Sequence, residues 1–486
     1  MSQSFARYPR LAAPKFSGPL PKVSSSRPVP IDGVRSRSIG LSGPLLALYL
    51  TTPLYKGGLN SIINFDITLL LAALNSAMGI SALLRILVGR SSSGPSCRST
   101  LWLWLTMSGL VTAGTVYAPD RGIAGEAAMK FVLLNLFPVS AALIVATDVV
   151  AIRRFLWTFA GLGMFLTITG VLSISMLETT GQRLTVLDSN PILLASGAMC
   201  FPLVGWTFLW RTAPWSRLLV ILLTLVCVSV AASAARGPTI AAAIALTILL
   251  LFQARKRLLK LPLVAAGIIV AGLVLPTYLP TVAVTRLESL VSSVPALAGD
   301  GDKTIDGDVA IRLSAFKFAL GMFERSPLVG NGTASFAAET EDDWELGSID
   351  HPHNLPLQVA AEYGVVGLLV LAALFARPIQ TWFQLAADPA WMGVIALHIM
   401  FTLLSLESFG LDTRVLWALT LMVRVAPRAV DREHNPASGV DLEDRRSTDV
   451  GRGDDKITSI VQIHSGRGGL QAARARITVV PPQTRT

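Results

Sequence analysis

The chain is poor in charge, histidine and cysteine. Only 15% of its 486 residues are charged, five are histidine, and 52% are hydrophobic. Soluble domains carry about 25% charged residues, so this composition excludes an ordinary soluble protein. The three cysteines, Cys97, Cys200 and Cys227, lie in apolar runs or a short loop, which argues against a disulfide framework. Residues 1–38 are basic and have no early apolar core, and they therefore predict no cleavable signal peptide.

Long apolar runs are what the chain has in abundance. They predict an all-α fold, a polytopic bundle of about twelve transmembrane helices. The predicted spans are roughly 41–55, 61–84, 100–118, 129–149, 155–177, 190–210, 217–235, 238–253, 261–284, 355–376, 390–408 and 413–427. The run from Trp215 to Phe252 is too long for one crossing, and Arg236-Gly237-Pro238 divides it. Proline suits the first turn of the second helix.

Basic residues lie mainly in the tails and in alternate connections. The net charge of +10 therefore does not indicate a nucleic-acid partner. Basic residues beside membrane segments set orientation, and their alternation places both termini in the cytoplasm. The short outer connections hold few basic residues, namely Lys56, Arg121, Lys130, Arg183, Arg236 and Arg414.

Three regions follow from this topology. Residues 1–38 are a disordered basic cytoplasmic tail, 39–427 form the transmembrane domain, and 428–486 are a disordered charged cytoplasmic tail. Within the domain, residues 285–352 form one large, acidic, partly helical outer loop. A loop helix is expected from Val309 to Arg325, with Asp308 as its cap. Its apolar stripe is Ile311, Ala315, Phe318 and Met322, and a turn is expected at Gly330-Asn331-Gly332.

Three cations are candidates for anion binding. Arg236 precedes a span, and Gly237 lets the chain approach a ligand at the positive end of the helix that follows. A guanidinium fork matches phosphate oxygens, although Arg236 also suits a topological anchor or a salt bridge. Arg312 and Lys317 lie on the loop helix, where they either bind an anion or are simply solvated.

The segment that ends the outer loop carries two of the five histidines. His351 and His353 flank a proline, so an extended chain points them the same way, and a metal site with Asp350 is conceivable. No third histidine or cysteine occurs nearby, and a neutral imidazole can instead accept a proton from a hydroxyl. Asn354 suits the N-cap of the next helix.

Glu362 lies about two turns into that helix. There a carboxylate would be partly desolvated, so it is expected either to pair with an arginine or to stay protonated. A buried structural hydrogen bond explains it as well as a chemical role does. Gly364 and Gly367 form a small face that would allow close helix packing.

These motifs, in this order, resemble those of the O-antigen ligase and polysaccharide polymerase superfamily of bacterial membrane glycosyltransferases. The resemblance covers residues 40–427 in layout and is specific in two places. The first is Ala235-Arg236-Gly237 before a span. The second comprises Ile311-Arg312, Ser326-Pro327-Leu328-Val329-Gly330-Asn331-Gly332, His353-Asn354, Leu357, Glu362, Gly364 and Gly367. Asn331 stands where the family often has valine or isoleucine, and Ala235 stands where it often has serine.

The resemblance implies a metal-independent enzyme without cofactors at the outer face of the bacterial inner membrane. It implies an undecaprenyl-pyrophosphate glycan as donor and a glycan or lipid-linked oligosaccharide as acceptor. Surrounding membrane lipids and chain-length or export proteins are the other expected partners. Pyrophosphate is a good leaving group, so the protein must mainly stabilise its charge and supply a base.

The implied site has two groups of residues. The catalytic candidates are His353 as the base and the arginines Arg236 and Arg312 on the pyrophosphate. The substrate-binding candidates are Lys317, His351 and Glu362, of which the last two are also alternative bases.

Other functions also suit this topology. A polysaccharide or lipid-linked substrate transporter or flippase would have twelve spans too, but no internal repeat is visible and the polar groups cluster at one outer face. A non-catalytic assembly or sensor protein is suggested only by the long tails. The residues do not separate a ligase from a polymerase, because the two differ only in the acceptor.

Overall fold

The computed structural model describes residues 35–53, 66–88, 95–180, 190–209, 214–254, 307–341, 346, 349–384 and 389–426. Within these residues every regular element is a helix, which confirms the all-α class. Residues 1–34, the C-terminal tail and the predicted span 261–284 lie outside the described residues. The tail and domain boundaries therefore stay predictions.

The helices are numbered here in chain order. They are α1 (Arg35–Leu50), α2 (Ile67–Leu87), α3 (Pro95–Ala113), α4 (Arg121–Phe131), α5 (Phe137–Ser140), α6 (Ala142–Val145), α7 (Val149–Thr180), α8 (Pro191–Phe208), α9 (Pro214–Ala234), α10 (Arg236–Ala254), α11 (Gly307–Arg325), α12 (Ser335–Thr340), α13 (Leu355–Gln384), α14 (Pro389–Ser405) and α15 (Arg414–Val425). A π-helical turn, Val132–Leu136, joins α4 to α5.

Several helices begin where a short polar side chain caps free backbone N–H groups. Asp66 accepts from Thr68 N at 2.9 Å, and Asn190 accepts from Ile192 N at 2.8 Å. Such a cap contributes about 1 kcal/mol. The predicted break at Arg236-Gly237-Pro238 is confirmed, because α9 ends at Ala234 and α10 begins at Arg236.

Many of the apolar helices are long enough to cross a membrane, as expected for a multi-pass protein. Among the described residues five segments have the required length and composition: Ile67–Leu87, Arg121–Val145, Val149–Ser173, Pro191–Phe208 and Leu355–Trp382. Shorter apolar helices are Leu41–Leu50, Trp215–Ala231, Gly237–Leu251 and Pro389–Ser405. The predicted number of about twelve spans is not confirmed.

The bundle core is built around buried tryptophans. Trp104, Trp391 and Trp417 are each at most 1% exposed, and the Trp104 and Trp417 rings lie 5.5 Å apart. Helix α14 packs against α10 and α15, and α13 packs against α3, α11 and α15. These contacts bring the starts of α10, α13 and α15 and the end of α14 to one end of the bundle, here called the site end.

Helix α11 forms a small core of its own on α13. Ala315 and Met322 are fully buried there with Phe336, while Ile311 at the edge of the predicted stripe is exposed. The helix begins at Gly307, so Asp308 lies in its first turn and not at the N-cap as predicted.

Helix α13 is kinked at Gly364, where φ is +61° and ψ is −155°. Glycine reaches these angles without steric cost. A Cβ at this position would lie 2.5 Å from the Leu328 carbonyl carbon, so the contact also needs a residue without a side chain. Gly364, predicted to form a small face with Gly367 for close packing, thus allows the close approach of the backbone at Pro327 and Leu328.

The kink frees backbone groups that residues 327–332, here called the glycine turn, then satisfy. Four hydrogen bonds join the two segments. In each, a backbone N–H donates to a backbone carbonyl oxygen. The pairs, with the donor named first, are Asn331 and Ala361 (3.0 Å), Gly332 and Glu362 (2.9 Å), Val365 and Pro327 (2.8 Å), and Val366 and Leu328 (3.2 Å). The predicted turn at Gly330-Asn331-Gly332 is confirmed, and its positive φ angles of 73° and 97° explain both glycines.

Candidate functional site

Four segments meet at the site end. They are the start of α10, helix α11, the residues before α13, and the connection 406–413 between α14 and α15, here called the last connection. Asn354 holds two of them together, because its Nδ2 donates to Leu406 O at 2.9 Å while its Oδ1 accepts from Leu357 N at 2.9 Å. The second bond confirms Asn354 as the predicted N-cap.

Glu407, in the last connection, links α10 to α11. Its Oε1 accepts a charge-assisted hydrogen bond from Arg312 Nη1, which also donates to Glu407 O at 3.3 Å. Its Oε2 lies directly against Gly237, where any side chain would overlap with the carboxylate. A carboxylate thus occupies the first turn of α10, which is the place where a helix favours negative charge.

Arg236 is the first residue of α10 and precedes Gly237, the residue that the Glu407 carboxylate contacts. The structure describes its backbone position and not its side chain. Arg312 and the start of α10 are therefore brought together by a third group, Glu407. Sequence reasoning missed Glu407 because it counted the residue within the predicted span 390–408, whereas α14 ends at Ser405. The available signal was a lone carboxylate at the end of an apolar run, which is costly unless partnered.

His353 has a strained backbone and a neutral ring. Its φ of +53° lies in the left-handed region, which is uncommon for a residue with a side chain. Burial lowers the pKa of His353, the charge of neighbouring His351 lowers it further, and Arg312 adds to this. Glu407 and a hydrogen bond to the Ser408 backbone oppose the shift. The imidazole is therefore neutral near pH 7.

The ring nitrogens of His353 have different surroundings. Nδ1 lies 3.4 Å from Ser408 O. With its proton on Nδ1, the ring donates to that carbonyl and leaves the lone pair of Nε2 available as an acceptor. A neutral imidazole so oriented can take a proton from a hydroxyl.

His351 lies beside His353, with ring centroids 4.7 Å apart in an edge-on arrangement. Its Nε2 is buried and has no hydrogen-bond partner within the described residues. Gly410 allows this position, since a Cβ there would lie 2.9 Å from His351 Cδ2. A buried nitrogen without a hydrogen-bond partner destabilises the fold, so we expect a water molecule or a ligand to bind to it.

Glu362 is 1% exposed and lies in the wall of a cavity at the site end. Its Oε1 accepts from Gln358 Nε2 at 2.9 Å. Gln358 in turn accepts from Leu411 N at 3.0 Å and so fixes the last connection. Of the two alternatives predicted for Glu362, an arginine partner is not found among the described residues, and the carboxyl group contacts the Gln358 amide instead.

Lys317 lies apart from the other candidates. It is exposed on α11 and lines neither of the cavities that contain the histidines. It lies five positions after Arg312, which puts the two side chains about 140° apart around the helix axis. The structure thus joins Arg312, His351 and His353, and leaves Lys317 outside.

Two cavities open beside the histidines. The larger has a volume of about 500 Å³, the smaller about 250 Å³, and His351 and Arg414 contact both. The guanidinium of Arg414 lies 5.0 Å from the centre of the Tyr49 ring and donates to Thr52 Oγ1 at 3.3 Å. Arg414 opens its helix as Arg236 opens α10, a parallel that could have marked it as a candidate from sequence.

A convergent set of metal ligands is not found in the part of the chain that the structure describes. No three histidine, cysteine, aspartate or glutamate side chains come together there. Metal-independent chemistry stays a prediction.

Residues 218–372 match the family model described as O-antigen ligase. The matched range begins in α9 and ends in α13, and it includes the start of α10, helix α11 and both site histidines. The resemblance to an O-antigen ligase-like family is confirmed over these residues. The search among curated proteins finds no match. Together with the apolar helices, the family match supports a multi-pass membrane protein that acts in glycan transfer.

Proposed function

We propose that the chain transfers a glycan from undecaprenyl pyrophosphate to a sugar hydroxyl at the outer face of the bacterial inner membrane. The observation that carries this proposal is the position of Glu407. One carboxylate is held by Arg312 and the first turn of α10, beside a neutral imidazole. An internal anion occupies a place suited to a phosphate oxygen.

The donor pyrophosphate takes over the position of the Glu407 carboxylate. The side chains of Arg312 and Glu407 keep 29% and 41% of their exposure, so this ion pair is worth about 1 kcal/mol or less. A pyrophosphate carries more charge and more acceptor oxygens, so it competes well for the guanidinium fork. Arg236, which precedes Gly237 in the sequence, is the second proposed cation.

Transfer then needs one proton movement. His353 Nε2 takes the proton of the acceptor hydroxyl. At the same time, the oxygen of that hydroxyl forms a bond to the anomeric carbon of the donor. The bond from that carbon to the pyrophosphate oxygen breaks, and its electron pair goes to the pyrophosphate. Arg312 and Arg236 stabilise this charge, and a positioned base contributes about 10²- to 10⁴-fold.

The deciding experiment combines purified protein in lipid with polyprenyl-pyrophosphate glycan and two acceptors. Longer lipid-linked chains identify a polymerase, and glycan moved to a lipid-linked core identifies a ligase. A parallel reaction contains a chelator. Its rate should equal that of the reaction without chelator if no metal takes part. Absence of transfer to either acceptor contradicts the proposal.

Orientation is tested with a single cysteine at an exposed loop position, Glu341→Cys. The native cysteines, Cys97, Cys200 and Cys227, are buried and give a low background. An impermeant thiol reagent should label position 341 in intact cells. Labelling only after lysis would reverse the proposed orientation.

A further inference from the structure

The larger cavity lies on one side of His351 and has more polar surface in its wall than the smaller cavity. Its wall includes residues of α4, the π-helical turn, α12, α13 and the last connection. A volume of about 500 Å³ lies within the range of small-molecule sites. Its polar groups include Glu126, Lys130, Asn135, Gln358 and Glu362, with Asp350, Asp412 and Arg414 at the histidine side.

Asn135 is the most informative residue of this wall. It is 2% exposed, and its Oδ1 has no hydrogen-bond partner within the described residues. It lies in the π-helical turn Val132–Leu136, and such turns recur at functional sites. A buried amide oxygen without a partner costs about 1–3 kcal/mol, which a ligand hydroxyl would recover.

The smaller cavity has a more apolar wall. It is lined by Leu50, Leu193, Phe401 and Phe409 together with His353, and it shares His351, Asp412 and Arg414 with the larger cavity. An apolar wall beside His353 suits the lipid-linked end of a donor. A wall of amide and carboxylate groups suits the hydroxyls of a sugar.

We infer that the larger cavity binds the sugar of the acceptor, with Asn135 accepting a hydrogen bond from one of its hydroxyl groups. This inference rests on the proposed function. It gives the two cavities separate substrates, with His351 at their boundary and His353 on the donor side. Asn135 is then a residue that determines acceptor binding and does not enter the chemical step.

Asn135→Leu removes the amide and keeps the number and branching of the side-chain heavy atoms. The loss of one hydrogen bond of about 1–1.5 kcal/mol raises the KM for acceptor roughly tenfold. The KM for donor and the kcat stay within about twofold, and Asn135→Asp restores much of the affinity by supplying an acceptor oxygen. A proportional fall in kcat with an unchanged acceptor KM would overturn the inference.

Cysteine protection tests occupancy without turnover. Ala337 lines the cavity, whereas its neighbour Ala338 on α12 is similarly half-buried and does not. Ala337→Cys and Ala338→Cys proteins are treated with a small thiol reagent. The probes are the lipid-free repeat unit, the lipid-free core oligosaccharide and the polyprenyl-pyrophosphate glycan.

Slower labelling of position 337, and not of 338, by a lipid-free oligosaccharide is the expected result. Protection by the polyprenyl-pyrophosphate glycan alone would assign the cavity to the donor and overturn the inference. Protection by no probe would overturn it as well. Transfer is measured with the unmodified protein in parallel. Active protein with an unprotected cavity contradicts only this inference, and inactive protein with a protected cavity contradicts only the proposed function.

Discussion

His353 and His398 show two opposite uses of histidine in the same bundle. His398 is completely buried in α14, where Trp382 Nε1 donates to its Nδ1 at 3.0 Å and Nε2 lies 3.1 Å from Thr420 Oγ1. Its ring also stacks on Phe375. Both nitrogens are therefore satisfied by protein groups, which is the pattern of a structural residue.

His353 differs in backbone, exposure and partners. It is half-buried, its φ is +53°, and among the described residues its ring nitrogens have one long contact, to Ser408 O. Left-handed backbone in a residue with a side chain costs about 1–3 kcal/mol and is concentrated at functional sites. The contrast teaches that backbone strain, partial exposure and fewer protein partners for the ring nitrogens among the described residues distinguish the candidate base.

The largest expected effect comes from removing each imidazole in turn. His353→Gly should reduce transfer by about 10²- to 10⁴-fold, since it removes the base. Its thermal midpoint should hold or rise, because glycine adopts the positive φ without strain. His398→Ala should leave transfer per folded molecule nearly unchanged. It should lower stability by about 2–4 kcal/mol, because it leaves two buried partners unpaired and creates a cavity. Transfer rates per folded molecule and melting in detergent decide this, and a folded but inactive His398→Ala would break the contrast.

Arg312→Lys tests whether the fork matters and not only the charge. Lysine keeps the cation but loses parallel donation, so transfer should fall roughly 10- to 100-fold. The matched control is Arg325→Lys on the same helix, which also changes an arginine paired to a glutamate, Glu339. It should change initial rates by less than twofold. Equal losses of transfer in both variants would show that any change of an arginine on α11 slows transfer, and that Arg312 has no special role.

Gly330→Ala tests whether the glycine turn supports this end of the bundle. The added Cβ would overlap with the backbone at Glu362 and Tyr363, and φ is +73°. Stability should fall by about 2 kcal/mol or more. Gly321→Ala in α11 meets open space and should raise stability by up to about 1 kcal/mol. Melting curves of the two variants should move in opposite directions.

Glu407→Gln addresses the internal anion directly. If Glu407 competes with the donor, neutralising it should lower the KM for donor by about fivefold or less, the range of a partly exposed ion pair. Glu339→Gln is the matched control and should leave the donor KM unchanged. A higher donor KM in Glu407→Gln would mean that the carboxylate assists binding.

The smallest expected effect is a shift in pH dependence. Because the pKa of His353 is lowered by burial and then by His351, its base form persists below the usual histidine range. The kcat/KM should be constant above that pKa and fall as pH decreases through it. His351→Gln removes one of the groups that lower the pKa of His353, while Arg312 and Glu407 keep their effects on it. The acid limb of the profile should therefore move to higher pH. A limb that moves to lower pH would exclude His353 as the titrating base.

Part of the candidate site could be predicted from the sequence because its signals are local. Arg236-Gly237-Pro238 breaks an apolar run, and Asn354 precedes a helix whose first N–H groups need an acceptor. Glu407 could not be found in this way, because its partner Arg312 lies 95 residues earlier. Asn135 was missed because its significance depends on a π-helical turn and on a cavity formed with distant segments.

The sequence by itself determined the helical class, the apolar runs and the caps, since helix formation and capping depend on residues within a few positions of each other. It also indicated the family, because the glycine turn and the histidine segment are short motifs that follow each other in a fixed order along the chain. Only the tertiary structure decided that Gly364 kinks α13 to receive the glycine turn. It alone placed a carboxylate against both Arg312 and Gly237, because contacts between separate helices depend on how the whole bundle packs.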